Sequence, residues 1–197
     1  IVQRYLRADV CGLTACPSWA AMLFKQMLAA AQAGGRPERT VGELWTKLRH
    51  FVSYGMSFAP YRRAFEQYIG RPIEYTNTYS SSEAGMTAIQ VEDGGPMRLI
   101  LDNGVYYEFI PAERADEPDP PRLGIGEVQT GVDYAVVVST NGGIWAYPLG
   151  DVIRFESLTP PQISFSGRTQ LQLSAFGEHV MLGTIELPEV CCQSTVT

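Results

Sequence analysis

The sequence predicts an α/β chain whose alternating helices and strands give way, after residue 72, to a β-rich and barrel-like part. Two observations carry this prediction. Apolar residues recur at helical spacing in segments up to residue 70, and from residue 73 they alternate with a period of two. Mixed elements first and strands afterwards is the order of α/β layers continued by a sheet subdomain. The chain therefore divides into a helix–strand part at 1–72, a β-rich part at 73–180 and a tail at 181–197 that follows neither pattern.

The first helix spans 17–33. Pro17-Ser18 open it, Gly34-Gly35 stop it, and Trp19, Met22, Leu23, Met27 and Ala30 make an apolar face expected to lie in the core. Residues 36–47 read as a polar loop and a short helix ending at Leu44-Trp45. A strand at 48–53 runs into Tyr54-Gly55-Met56-Ser57. A second clear helix begins at Pro60 and ends at Ile69, with Gly70 as its stop. Strands are expected at 73–79, 86–91, 97–101, 105–110, 134–139, 152–156, 163–166 and 171–174. Asp102-Asn103-Gly104 has the residue types of a hairpin turn. Tyr106, Tyr107 and Phe109 read as sheet packing, with Glu108 opposite Tyr107, and the proline- and acid-rich stretch 111–122 as an exposed loop.

Composition narrows the function. The 197 residues suffice for a domain with a real core, or for one domain plus a fragment of another. With 45% hydrophobic and 18% charged residues the chain is not disordered, and a net charge of −6 argues against non-specific nucleic-acid binding. No apolar run reaches the roughly eighteen residues that a membrane-spanning helix needs. The absence of an initiator Met and of a basic-then-apolar leader marks the chain as an interior piece of something larger. Cys11, Cys16 and the adjacent pair Cys191-Cys192 lack both metal-ligand spacing and a disulfide framework, and read as reduced thiols of a cytoplasmic protein. His50 and His179 have no companion ligands nearby in sequence, and His179 beside Glu178 takes no role.

Tyr79-Ser80-Ser81-Ser82-Glu83, with Leu149-Gly150-Asp151-Val152 and Gly167-Arg168-Thr169 further on, is the chemically richest constellation. An aromatic can stack on a nucleotide base, a hydroxyl can meet a phosphate, and a carboxylate can hold the Mg²⁺ that bridges phosphate oxygens. A second carboxylate can accept from both hydroxyls of a ribose, with an arginine beside it. Taken singly, each residue has a plainer reading. Glu83 fits a solvated strand end, Asp151 an ordinary turn, and Tyr79 a core aromatic.

At these residues the chain resembles the acyl-acid amido synthetases, the family of the plant auxin- and jasmonate-conjugating enzymes and their bacterial relatives, within the adenylate-forming superfamily. The resemblance covers residues 12–180. Beyond the constellation above it rests on Pro17-Ser18-Trp19, Glu43-Leu44-Trp45, Ser57-Phe58 with Pro60-Tyr61-Arg62, Tyr106-Tyr107-Glu108-Phe109-Ile110-Pro111, Ser139-Thr140-Asn141-Gly142-Gly143-Ile144-Trp145, and Ser174-Ala175-Phe176-Gly177-Glu178. It implies the central part of the large N-terminal domain of an adenylate-forming enzyme. It also implies a two-step reaction: ATP and a small carboxylic acid give an acyl-adenylate and pyrophosphate, and the amine of an amino acid then displaces AMP. By position, Tyr54-Gly55-Met56 would line the adenine, Tyr79 would pack on it, Ser82 would meet the α-phosphate and Glu83 would bind Mg²⁺. Asp151 would hold the ribose hydroxyls with Arg168 beside it near a hinge. Acyl specificity would come from the helix beginning at Pro17 and from residues near Met56. The resemblance assigns no catalytic residue to this stretch.

The chain departs from the family in several places. The Ser/Thr/Gly-rich phosphate loop has no counterpart, Ser80-Ser81 replace a Pro-Ala pair, Tyr54-Gly55 replace a Gly-Gly pair, and Ala146 stands where a basic residue is usual. Lys25 and Lys47 are the only lysines, so the lysine that the family's mobile C-terminal domain supplies is missing, and residues 181–197 read as a truncated or frame-altered end. The expectation is part of an amido synthetase, inactive as an isolated chain. The alternative is a remnant that binds nucleotide or a partner without turnover. A core cut at both ends is expected to expose apolar faces and self-associate.

Overall fold

One nine-stranded sheet organises the protein, and its character changes across its width. The computed structural model describes residues 2–169 and the backbone of two further strands, Gln172–Ala175 and Glu178–Met181. The side chains of Glu178 and His179, and the tail with Cys191-Cys192, lie outside the described residues. The elements are α1 (Val2–Tyr5), β1 (Gly12–Ala15), α2 (Pro17–Ala33), α3 (Val41–Leu44), β2 (His50–Ser53), α4 (Arg62–Ile69), β3 (Glu74–Ser81), β4 (Gly85–Gln90), β5 (Met97–Leu99), β6 (Val105–Pro111), β7 (Asp133–Thr140), β8 (Tyr147–Leu158), β9 (Pro161–Arg168), β10 (Gln172–Ala175) and β11 (Glu178–Met181). Strand order is β1-β2-β3-β4-β5-β9-β8-β7-β6, with β10 and β11 paired separately.

β3 is where the two halves of the sheet meet. Its first half pairs in parallel with β2, from His50↔Glu74 to Ser53↔Asn77. Its second half pairs antiparallel with β4, from Thr78↔Ile89 to Ser81↔Gly85. Parallel strands need helical crossovers, and α2 and α4 supply them between β1, β2 and β3. Beyond β3 the named strands of the sheet pair antiparallel with one another. The sheet curls far enough for Tyr79 of β3 and Tyr107 and Phe109 of β6 to share one buried cluster with Phe155 and Ile163.

A second core lies under the helices, where Phe24, Trp45, Phe51, Phe58, Phe65 and Tyr75 interlock. Phe65 is central, with ring centroids 5.3 Å from Phe24, 4.7 Å from Phe51 and 5.1 Å from Phe58. Aromatic pairs at such separations add to the area they bury. Tyr5 closes one side, where its carbonyl accepts from Trp45 Nε1 at 2.8 Å.

Helix α2 has the expected bounds, with Pro17 in its first turn and Gly34 accepting the stop. Its buried face agrees in part: Met27 is buried as expected and Leu23 and Ala30 pack against the same core, but Pro17, Ala20, Phe24 and Ala31 complete the face and Trp19 and Met22 are exposed. Both stripes are apolar, and Phe24 wins because its ring fills the space between Trp45 and Phe65. Asp102-Asn103-Gly104 is not a hairpin turn. β5 pairs with β4 and β9, β6 pairs with β7, and the segment links β5 to β6 across the curl. Asn103 serves there as a staple, donating to the Met86 carbonyl and the Tyr107 hydroxyl. Of the expected packing aromatics on β6, Tyr107 and Phe109 are buried, whereas Tyr106 points to the outer face and is exposed. The alternation of a strand permits only one of two neighbours inside.

Candidate nucleotide site

The C-terminal ends of β2 and β3 form one rim of the sheet, and Tyr54-Gly55-Met56 and Ser82-Glu83 lie on the loops that follow these two strands. In open α/β sheets this rim is where ligands bind. β2 ends at Ser53, which donates its hydroxyl to Asn77 Oδ1 at 2.8 Å, and the Ser53 carbonyl accepts from Thr78 Oγ1 at 3.0 Å. These bonds tie the start of the Tyr54-Gly55-Met56 loop to the residue preceding Tyr79. All three loop residues are exposed, and Gly55 turns the chain with φ +79°. β3 runs on to Ser81 and turns back at Ser82, Glu83 and Ala84 into β4, with the Ala84 N–H donating to Ser81 Oγ at 3.1 Å. Ser82 is exposed on this turn and Glu83 half-buried.

Between Tyr79 and Ser80 the ladder slips, so that Tyr79 faces Ala88 while Ser80 faces Met86. Such a bulge re-aims the side chains around it. The intervening Thr87 is buried, and its hydroxyl donates to the Tyr79 carbonyl at 2.9 Å. Tyr79 is thereby held in the inner core with 8% exposure.

Asp151 approaches from the other half of the sheet. Gly150, at φ +75°, precedes it, and the Gly150 carbonyl accepts from the Thr169 N–H at 2.9 Å. Asp151 pairs with Arg168 in the β8–β9 ladder and is 5% exposed. Its Oδ2 accepts a buried hydrogen bond from Tyr79 Oη at 2.8 Å, and Arg168 Nε lies 3.0 Å from Oδ1. A carboxylate so far from water is costly unless donors and positive charge surround it, and these two residues supply both. Burial pushes the Tyr79 hydroxyl far above the ordinary tyrosine range, and the Asp151 charge raises it further. Tyr79 is therefore a permanent donor.

The structure thus brings Tyr79, Asp151 and Arg168 together, and sets Tyr54, Gly55 and Met56 on the loop after β2 and Ser82 and Glu83 on the turn after β3. The sequence reading missed Phe165. Its ring centroid lies 6.1 Å from that of Tyr79, and 48% of its surface is exposed beside the triad. Its place two residues after buried Ile163 on one strand face was the available signal. Among the described residues no group of three or more His, Cys, Asp or Glu side chains could hold a metal alone. Glu83 suits Mg²⁺ only in the manner usual for that ion, with one carboxylate completed by phosphate oxygens and water.

Two clefts, of about 360 and 500 Å³, open elsewhere. Arg62, Glu66, Arg71, Tyr75 and Asp93 line the first, and Arg49, His50 and Glu74 the second. Both flank the N-terminal ends of β2 and β3, away from the Tyr79–Asp151 contact. Their arginines are engaged: Arg62 pairs with Asp93, Arg71 donates to the Trp45, Thr46 and Leu48 carbonyls, and Arg49 donates to the Thr46 and Leu48 carbonyls. Donor chemistry and topology both favour the Asp151 rim.

Residues 98–168 match the GH3 family central domain. Jasmonoyl-L-amino acid synthetase JAR4 of Nicotiana attenuata is 33% identical over 144 residues, covering 68% of this chain and 24% of that protein. Jasmonoyl-L-amino acid synthetase GH3.5 of Oryza sativa subsp. japonica is 28% identical over 181 residues, covering 80% of this chain and 29% of that protein. The chain therefore spans about a quarter of the length of these curated relatives. Among solved structures, AtGH3.15 acyl acid amido synthetase in complex with 2,4-DB superposes with a TM-score of 0.65 at 19% identity, over 91% of this chain and 40% of that one. An open conformation of 2-hydroxyisobutyryl-CoA ligase in complex with 2-HIB-AMP and CoA gives a TM-score of 0.59 at 15% identity, over 92% of this chain and 41% of that one. At such identities the structural likeness speaks for the fold.

Proposed function

From the premise that this chain belongs to the GH3 family of acyl-acid amido synthetases, we propose that it forms the nucleotide-binding part of an ATP-dependent ligase. That ligase adenylates a small carboxylic acid and passes the acyl group to the amine of an amino acid. A free carboxylate has a poor leaving group, whereas AMP leaves readily, so activation as an acyl-adenylate makes amide formation feasible. Positioning and charge stabilisation carry most of such a reaction.

The observation that carries the reading is the buried contact of Asp151 with Tyr79 and Arg168 at the sheet rim. Asp151 holds the ribose hydroxyls with Arg168 beside it, and Tyr79 offers its ring edge to the adenine. Tyr54, Gly55 and Met56 line the base from the β2 loop. Ser82 meets the α-phosphate, and Glu83 shares Mg²⁺ with the phosphate oxygens. The exposed Trp19 and Met22 on α2, with Met56, support an apolar wall for the acyl group. The chain's only lysines, Lys25 and Lys47, both precede this site, so as an isolated chain it binds nucleotide without turnover.

Titration calorimetry with Mg²⁺-ATP and a non-hydrolysable acyl-adenylate mimic tests the proposal. Saturable binding that Asp151→Ala abolishes is the expected result. A folded chain that binds neither ligand would refute it.

A further inference from the structure

We propose that the cleft between α4 and the start of β3 is a second, separate ligand site, which takes a small zwitterion of the α-amino acid class through Glu66, Arg71 and the Tyr75 hydroxyl. Tyr75 is the residue that points to a ligand. It is 8% exposed and lines the cleft of about 360 Å³, and its buried hydroxyl has no hydrogen-bond partner among the described residues. A buried polar group left unpaired is costly, so folded proteins keep few of them. Tyr75 and Tyr79 lie four residues apart on β3, about 13 Å along the strand, so the cleft is distinct from the nucleotide site and the inference stands independently of that reading.

Charge selects the ligand. Two arginines, Arg62 and Arg71, and two carboxylates, Glu66 and Asp93, line the cleft, which is therefore neutral as a whole. Arg62 and Asp93 cancel one another as an ion pair, with the guanidinium 5.0 Å from the centre of the Tyr75 ring. Arg71 and Glu66 remain. The bonds that Arg71 gives to main-chain carbonyls all leave from Nη2, so Nε and Nη1 keep their donors. The Glu66 carboxylate enters no hydrogen bond or ion pair among the described residues. It nevertheless lies close to Tyr75: burial first, and then the Glu66 charge, push the tyrosine hydroxyl up to about 12. At neutral pH that hydroxyl keeps its proton and can donate.

A ligand carboxylate accepts from the Arg71 guanidinium and the Tyr75 hydroxyl, and a ligand ammonium donates to Glu66. A ligand with the carboxylate alone would meet the uncompensated charge of Glu66. One with the ammonium alone would face Arg71 and leave the Tyr75 hydroxyl unpaired. An α-amino acid carries both groups on one carbon, and Ile73 offers apolar surface to an aliphatic side chain. Arg62 and Glu66 stand one turn apart on α4, and rotation of these two long side chains gives the ligand its way to the hydroxyl at the cleft floor.

NMR titration of the 197-residue chain with L-leucine, isocaproate and isoamylamine tests this, the last two being leucine without its ammonium and without its carboxylate. Leucine should saturate at about 1 mM or below, with shifts centred on Glu66, Arg71 and Tyr75. Each of the other two should bind at least about tenfold more weakly, the weight of one hydrogen bond to a charged group. Glu66→Gln should weaken leucine by about tenfold and leave isocaproate unchanged or tighter. Tyr75→Phe should weaken leucine by about threefold to tenfold. Relieved of an unpaired hydroxyl, it should also melt no lower than wild type without ligand, which a tyrosine already satisfied in the fold would not allow. The inference is overturned by a folded chain that leucine does not saturate, or by isocaproate or isoamylamine binding as well as leucine. Equal losses of leucine and isocaproate in Glu66→Gln, or a Tyr75→Phe chain that melts below wild type, overturn it too.

Discussion

Asp133 on β7 lies directly opposite Arg154 on β8, and its carboxylate accepts from the guanidinium at 2.9 and 2.7 Å. Ser166 on β9 donates to the same carboxylate at 2.8 Å. One side chain thus clamps three adjacent strands, of which β8 carries Asp151 and β9 carries Arg168. The clamp spans the strands whose ladders set the register of Asp151 and Arg168.

The clamp should be sensitive to acid. The Arg154 hydrogen bonds, then that of Ser166, hold the Asp133 carboxyl below its ordinary range. A depressed carboxylate contributes stability above its unfolded pKa and loses it as pH falls through the folded value. Asp133→Asn should therefore lower the melting temperature modestly at neutral pH, and the gap to wild type should close by about pH 2. High salt should narrow the gap at neutral pH as well. A gap unchanged across the acid range would show that the pair is not what is lost.

Phe65 holds the helical core together. It is fully buried among Phe24, Phe51 and Phe58, and Phe65→Ala should cost about 3 to 5 kcal/mol. That is a large share of the roughly 5 to 15 kcal/mol typical of a domain. The check is the urea midpoint at an unchanged slope. A loss below about 1 kcal/mol would mean that the neighbouring rings collapse into the space.

Gly42 on α3 faces the end of α4, where an added Cβ would overlap the Ile69 carbonyl oxygen. Alanine is the better helix former by about 1 kcal/mol, yet Gly42→Ala should destabilise by about 1 to 3 kcal/mol, because backbone cannot yield as a flexible side chain can. The neighbouring Thr40 caps the same helix through a reciprocal box with Glu43, and Thr40→Ala should cost about 1 kcal/mol. Chemical denaturation of both variants checks the order, with Gly42→Ala the more harmful or equal. A stabilised Gly42→Ala would contradict the close approach of α3 and α4.

What the sequence made legible was local. Pro17 and Gly34 bound α2 because proline and glycine act on their own backbone, and Gly70 closes α4 in the left-handed conformation for the same reason. The inward face of α2 was not local. Met27 was legible as core, but Trp19 and Met22 are as apolar as Phe24, and only the rings of Trp45 and Phe65 decide which of them turns inward. β1 escaped notice because Gly12–Ala15 is short, lies at the sheet edge and has no buried residue to mark its period. Asn103 and Gly104 carry turn chemistry, but strand partners are chosen by the curl of the whole sheet. Tyr79, Asp151 and Arg168 could each be picked out as residue types, yet their mutual contact joins positions 72 residues apart and belongs to tertiary structure alone.

The proposed nucleotide site lies where the loops after β2 and β3 meet Asp151. Backbone amide chemical shifts, followed by NMR as Mg²⁺-ATP is added to the 197-residue chain, test it most directly. Saturable perturbations are expected at Tyr54, Gly55, Met56, Tyr79, Ser82, Glu83, Asp151 and Arg168, all lost in Asp151→Ala. Perturbations centred instead on the cleft of Arg62, Arg71 and Asp93, or none in a folded chain, would contradict it.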